Sequence, residues 1–475
     1  MTPVRRRALR AATILVIGVT LLRLVVAASL PLVEDEAYYW TWSTRLGAGY
    51  YDHPPAIAWI IAAGTALFGK TALGVRGCGI LLAGLASIAL LPLVESPLLL
   101  AAILGSMPLF SLGGVLATPD VPLLTGWMLA VAGMGRLLVD GRWRWAVLAG
   151  LGGGLAMLGK YTGAGFWPLA VVGVLAGSRT RGGAWSTHRL ATVGLAATLG
   201  LVALAPNLLW ESAHDWVSVR FQLHHGLAAT TPPGLAGGLE FLGAQLGLAS
   251  PVLFLAGFPA VMHHARARTP VGVLALCTSV PVLGFFTFAA TRSRPEVNWA
   301  APAFVGFALI LAGPIGSSAA PRIRRAAWIG VGIASALTAM ITVHAFHPFL
   351  RIPNDPVARL GRGAQMADSV RGWGATTIWT TRYQEAALLL WYDEGVSVTT
   401  VPGVDREDQF DLWRQGEPAF TPRLFVRPYR SGEATVIDDR CTRGGPNVVA
   451  EHDDGGEITA RWQVYEVMSC SSSGE

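Results

Sequence analysis

Apolar residues run through this chain in long blocks, and polar residues gather in short breaks between them. The first block follows MTPVRRRALR and continues to about Leu30. At about 1.5 Å per helical residue, roughly twenty apolar residues cross a hydrocarbon core. The blocks predict about eleven spans, at 10–30, 75–94, 97–116, 121–139, 145–159, 163–178, 190–209, 241–262, 270–290, 298–315 and 326–346. The apolar segment from Pro55 to Phe68 is too short to span and reads as interfacial or re-entrant. From about His347 the chain turns polar and mixed. ATTIWTT and RLFVRP read as strands and YQEAALLLWYDE as a helix. The expected fold is an all-α polytopic membrane bundle, residues 1–346 with a loop at 31–70, followed by a small α/β domain at 347–475. That domain would cover the membrane part, recognise an acceptor, or only stabilise the loops beneath it.

Composition agrees with the pattern. Charged residues make up 14% of the 475 positions, against about 25% in soluble domains, and the mean hydropathy is +0.47. The formal charge of +6 does not point to nucleic acid, because no basic stripe with interleaved aromatics occurs. The N-terminus lacks a small-residue cleavage site after its apolar run and reads as a retained span. No internal repeat of the kind found in secondary transporters stands out.

Basic residues set the expected orientation. Arg5, Arg6, Arg7 and Arg10 precede the first span; Arg136, Arg142 and Arg144 follow the fourth; Arg179, Arg181 and Arg189 follow the sixth. His263, His264, Arg266 and Arg268 follow the eighth, and Arg322, Arg324 and Arg325 the tenth. With eleven spans, every cluster falls on the side of the N-terminus, the cytoplasmic side by the positive-inside rule. The opposite, extracytoplasmic face of the inner membrane then receives 31–70, Thr118-Pro119-Asp120, Gly159-Lys160-Tyr161-Thr162, 210–240, 291–297 and the tail. An exported tail makes a disulfide between Cys441 and Cys470 available, while Cys78 and Cys277 read as small core residues.

The candidate chemistry collects on that second face. Asp35 and Glu36 follow the first span, beside Tyr38, Tyr39, Trp40 and Trp42. A carboxylate at a membrane crevice suits a general base, and the aromatics suit a headgroup-level belt. Asp52-His53-Pro54-Pro55 is a stiff polar knot in which His53 could bind phosphate or donate a proton, or simply be a satisfied loop residue. Asp120 would line a site, cap its helix, or both. Lys160 interrupts an apolar stretch, where an ammonium needs either an anion or a snorkelling path. Arg292 and Arg294 run against the basic trend and could grip phosphate, or pair with Glu296 or the tail, just before Asn298 and Trp299. No metal-ligand spacing, GxSxG or Walker motif occurs. A divalent ion held by Asp35 and Asp120 is not indicated, and no cofactor is required.

The stretches DEAYYW (35–40), YDHPP (51–55), TPD (118–120), GKYT (159–162) and PEVNW (295–299), in that order, resemble the bacterial GT-C membrane glycosyltransferases related to protein O-mannosyltransferases and aminoarabinose transferases. The resemblance covers most of 10–310 and implies a GT-C-like fold. It implies a polyprenyl-phosphate sugar as donor and inverting transfer to a lipid, glycan or protein acceptor in the cell envelope. On that model Asp35 is the base, with Glu36 supporting it or positioning the acceptor. Lys160, Arg292, Arg294 and His53 would meet the donor phosphate, although the aminoarabinose transferases carry a lysine near the His53 position. Tyr38, Tyr39, Asp52, Asp120, Tyr161, Asn298 and Trp299 would line the site. The rival is a transporter or flippase of lipid-linked sugars that performs no chemistry.

Overall fold

The computed structural model describes residues 2–179, 187–227, 233–314, 320–350, 355, 357, 360–414, 422–428, 441–443, 448–454 and 457–470. Packing divides the chain into two units, Met1–Ala28 with His53–Thr342 and Ser29–Asp52 with Val343–Glu475. The segment 29–52, grouped by sequence with the membrane part, thus packs with the tail.

The first unit is helical. Among the described residues, six helices are long and apolar enough to cross a membrane: Pro3–Ser29, Ala72–Leu93, Asp120–Asp140, Leu190–Ala213, Pro270–Ala289 and Pro321–Phe346. Shorter apolar helices occupy Ala56–Phe68, Pro97–Ser106, Arg144–Gly159, Tyr161–Gly177 and Ala303–Ala312. A multi-pass bundle follows, but several expected straight spans are broken. The span expected at 241–262 is instead two helices, Gly234–Ala249 and Pro251–Ala267, bent by 106°. Ser250 between them takes φ 83°, and Pro251 cannot donate a backbone hydrogen bond across the break. The span expected at 97–116 stops at Ser106, with Pro108 two residues on. The one at 298–315 becomes a 3-10 turn followed by ten helical residues.

Two of the basic clusters meet the segment 92–95. Arg5 donates to the carbonyls of Pro92 and Val94 at 2.9 and 3.2 Å, and Arg324 pairs with Glu95 at 2.9 Å. Arg181, from the cluster after the sixth expected span, lies outside the described residues. Cys78 and Cys277 are half-buried free thiols rather than fully buried core residues. Arg76, buried in the helix Ala72–Leu90, donates to the Ala27 carbonyl at 2.9 Å. It thereby places a cation against the C-terminal end of the first helix, where the helix dipole favours it.

The helices Asp120–Asp140 and Arg144–Gly159 form an antiparallel hairpin around Gly141, which takes the left-handed C-cap conformation. Their backbones touch. A Cβ on Gly126 would lie 2.3 Å from the Ala156 nitrogen, and one on Gly159 2.5 Å from the Leu123 nitrogen. Small residues are what such close helix crossings require. The register of this contact sets the end of the second helix beside the start of the first.

The second unit contains a six-stranded mixed sheet of β1 (Thr377–Thr380), β2 (Ser397–Thr400), β3 (Leu424–Pro428), β4 (Cys441–Arg443), β5 (Val448–Asp454) and β6 (Glu457–Cys470). The order is β2-β1-β3-β6-β4, with β5 also on β6. β1 runs parallel to β2 and β3, and β6 is antiparallel to its partners. β1, β3 and the helix Tyr383–Tyr392 fall where the sequence pattern put them, while β2, β4, β5 and β6 were not expected. The β4–β6 register sets Cys441 opposite Cys470. Facing residues of an antiparallel pair have Cα atoms about 4.5–5.5 Å apart, within the reach of a disulfide. Peptide mapping of protein isolated without reductant should recover the two cysteines cross-linked; free thiols at both would refute the bond.

Where the last long helix leaves the bundle, His344 is buried and makes three polar contacts. Its Nε2 lies 2.7 Å from an Asp355 carboxylate oxygen, and its Nδ1 accepts from the Phe349 and Leu350 amides at 3.0 and 3.3 Å. The accepting Nδ1 fixes the tautomer with its proton on Nε2.

Candidate active site

Three of the sequence candidates meet at the hairpin end. Asp120 stands in the first turn of its helix, which suits a carboxylate. One of its oxygens takes Lys160 Nζ at 2.7 Å and the other takes Asn298 Nδ2 at 2.7 Å. The Lys160 and Asp120 side chains are only 13% and 15% exposed. Lys160 sits in extended backbone immediately after the second hairpin helix, so the glycine contact described above positions the pair. The ammonium therefore neither snorkels alone nor stands free: its resident partner is Asp120.

Tyr161, next in the chain, joins a second cluster. Its hydroxyl donates to Glu211 at 2.8 Å and lies 3.3 Å from both Asn207 and Ser218. Ser218 also donates to Glu211. Asn207, Glu211 and Ser218 are fully buried. The sequence reading missed all three, although NLLWES places Asn207 and Glu211 four apart on one helical face at the end of an apolar block. His53 has Gln222 Nε2 3.3 Å from its Nδ1. Arg292 and Arg294 are exposed, and the Arg292 guanidinium lies over the Phe288 ring at 5.4 Å. Trp299 packs edge-on against Phe286, with ring centroids 6.1 Å apart.

In the second unit, EDEAYYWTWST forms the helix Glu34–Thr44. Its acids fill the first turn, where the helix dipole stabilises negative charge. Glu36 is fully buried, and its carboxylate accepts the Val33 amide at 3.1 Å. It reaches back to close the helix start, as the acid of a capping box does. Asp35 keeps access to solvent. The protein crowded around it still raises its carboxyl above the ordinary range by desolvation, and the adjacent Glu34 charge adds to this. The Tyr383 hydroxyl, donating to Asp35 at 3.4 Å, works in the other direction.

Tyr38 and Asp52 lie behind Asp35. The Tyr38 hydroxyl donates to Asp52 at 2.7 Å and accepts the Gln409 amide at 2.8 Å. The other Asp52 oxygen takes Arg406 at 2.6 Å. The Tyr51 amide donates to the Gln409 side chain at 2.7 Å. The aromatics pack in turn: Tyr38 tilted against Tyr383 with centroids 4.3 Å apart, Tyr39 edge-on to Trp42 at 4.9 Å and Trp40 edge-on to Trp391 at 5.0 Å. The aromatic run thus packs as a core with residues from the tail, a role that an interfacial belt does not describe. Among the described residues, no three His, Cys, Asp or Glu side chains converge as metal ligands would.

A helical membrane bundle with these polar helix ends, joined in sequence to a small sheet-containing unit, has the GT-C fold, and the chain resembles the protein O-mannosyltransferase and aminoarabinose transferase family of membrane glycosyltransferases. Residues 52–210 match the model of the dolichyl-phosphate-mannose-protein mannosyltransferase family. The chain is 32% identical over 310 residues to the lipid A galacturonosyltransferase RgtD of Rhizobium johnstonii, an alignment covering 62% of this chain and 63% of that protein's length. It shares the fold of ArnT from Cupriavidus metallidurans bound to undecaprenyl phosphate, with a TM-score of 0.61, 17% identity, and coverage of 95% of this chain and 97% of that one. The Archaeoglobus fulgidus oligosaccharyltransferase in the apo form follows with a TM-score of 0.55, 10% identity, and coverage of 89% and 69%.

Proposed function

We propose that this protein is an integral membrane glycosyltransferase that moves a sugar from a polyprenyl-phosphate donor to an acceptor in the cell envelope, with inversion. The observation that carries the reading is the Asp120–Lys160–Asn298 junction, built from three of the five family stretches. The likeness to RgtD supports it and supplies the first substrates to assay, a galacturonic acid donor and lipid A. The ArnT complex suggests undecaprenyl phosphate as the carrier to try.

Asp35 is the base. Its carboxylate takes the proton of the acceptor hydroxyl as that oxygen bonds to the anomeric carbon. The bond from that carbon to the phosphate oxygen breaks on the opposite face, and its electron pair leaves with the polyprenyl phosphate. A phosphate is a weak base, so the leaving group needs cationic stabilisation rather than a strong acid. Lys160 supplies it, exchanging Asp120 for a phosphate oxygen, and Arg292, Arg294 and His53 are further phosphate partners on this reading. Glu36 acts through the helix start that carries Asp35. We assign about eleven passes, a cytoplasmic N-terminus and an extracytoplasmic C-terminal domain in the inner membrane.

The test is reconstitution of the purified chain with undecaprenyl-phosphate galacturonic acid and lipid A. Mass spectrometry should find a new glycosidic bond on the acceptor. Movement of the donor between leaflets with no new bond under any donor and acceptor pair would instead favour a flippase.

A further inference from the structure

The reading of Asp35 as the base leaves the tail without a task. Resting on that reading, we propose that Tyr383 and Arg406, both from the C-terminal part of the chain, are positioning residues that hold the Asp35 carboxylate in place and in its charged form. Tyr383 opens the helix Tyr383–Tyr392. Its ring packs on Tyr38 at 4.3 Å, and the Arg406 guanidinium lies over it at 4.6 Å. Arg406 is anchored in turn by Asp52 at 2.6 Å, and Asp52 by Tyr38 at 2.7 Å. Tyr38 stands three residues beyond Asp35, one turn along the same helix. The five residues therefore close a ring that starts and ends on one short helix, with the Tyr383 hydroxyl directed at Asp35.

The charges around Asp35 give this ring a purpose. Glu34 and Asp52 oppose its ionisation, as does crowding by the protein. Tyr383 and Arg406 favour ionisation. A base must be unprotonated to work, so these two residues counter the groups that would disable it at neutral pH. The 3.4 Å separation between Tyr383 and Asp35 is long for a hydroxyl–carboxylate bond, and such bonds commonly tighten once substrate is in place. Because the hydroxyl and the guanidinium act on Asp35 rather than on substrate, their loss should change the pH at which the base works more than the affinity for donor.

The experiment measures transfer by the full-length chain from undecaprenyl-phosphate galacturonic acid to lipid A across a range of pH. Tyr383→Phe keeps the ring and removes only the donor. Its acidic limb is expected to move to higher pH by about one unit, with activity recovered at high pH and donor KM unchanged. Arg406→Gln should shift the limb the same way, and Arg406→Lys should move it back toward the wild type. A Tyr383→Phe profile that overlays the wild type, or one reduced by the same factor at every pH, would overturn the proposal. Asp35→Asn is run alongside as the control on the base itself. If Asp35→Asn keeps full activity, the reading of the base fails. If Asp35→Asn is inactive while the Tyr383→Phe limb stays put, only the positioning role fails.

Discussion

Asp35→Asn is expected to lose nearly all transfer while the protein stays folded. The substitution keeps the size of the side chain and a carbonyl oxygen that can still accept from Tyr383, but it removes the capacity to take a proton. General-base contributions run to about 10²–10⁴-fold, so kcat should fall by roughly a thousandfold. The structural cost is small by comparison. Asp35 stands in the first turn of its helix beside two other acids, and losing one charge there costs about 0.3–1 kcal/mol. Relief of repulsion with Glu34 offsets part of that. Transfer assayed beside a thermal melt separates the two effects: the melt should move little while the rate collapses. Wild-type turnover by Asp35→Asn would remove the base from the mechanism and leave the family likeness to be explained by another carboxylate.

Lys160→Met has the second large effect, and it should act on both stability and rate. Lys160 and Asp120 are mostly buried and joined at 2.7 Å. Removing one partner of such a pair strands the other charge, at about 3 kcal/mol. Loss of a cation from a departing phosphate costs a further factor of about 10²–10³ in rate. The two consequences come apart in the double variant Asp120→Asn with Lys160→Met, which carries no stranded charge. Its melting temperature should return most of the way to the wild type while transfer stays lost. Recovery of transfer in the double variant would show that Lys160 serves only to neutralise Asp120.

The sequence carried the elements more faithfully than the contacts between them. Lys160 was legible as a candidate because it interrupts an apolar block, Asp120 and Asn298 because they stand at span ends within family stretches, and the structure joins the three directly. Two strands and one helix of the tail, β1, β3 and Tyr383–Tyr392, were legible from periodicity alone; β2, β4, β5 and β6 were not. The straight spans at 97–116 and 241–262 were not, because hydropathy averages over a break. A window centred on Ser250 stays apolar on both sides of a 106° turn. Glu211 was missed because its partner Tyr161 lies 50 positions away. Arg406 and Tyr383 were missed for the same reason on a larger scale. An arginine in a polar tail carries no mark in sequence that it will stack on a tyrosine and pair with an aspartate more than three hundred residues earlier.

That distance also sets an order of events. The helix Glu34–Thr44 is made near the beginning of synthesis, but Tyr383 follows Asp35 by 348 positions and Gln409 follows Tyr38 by 371. At about 5–20 residues per second, the wait is some tens of seconds. Through that time Tyr38 and Trp40 have none of their tail partners, and the carboxylate proposed to do the chemistry has neither its tyrosine nor its arginine. A chain released before residue 406 lacks both Arg406 and Gln409. Stalled or truncated products would then carry Asp35 without its full surroundings, and a graft of the tail from a relative would have to bring residues 29–52 with it.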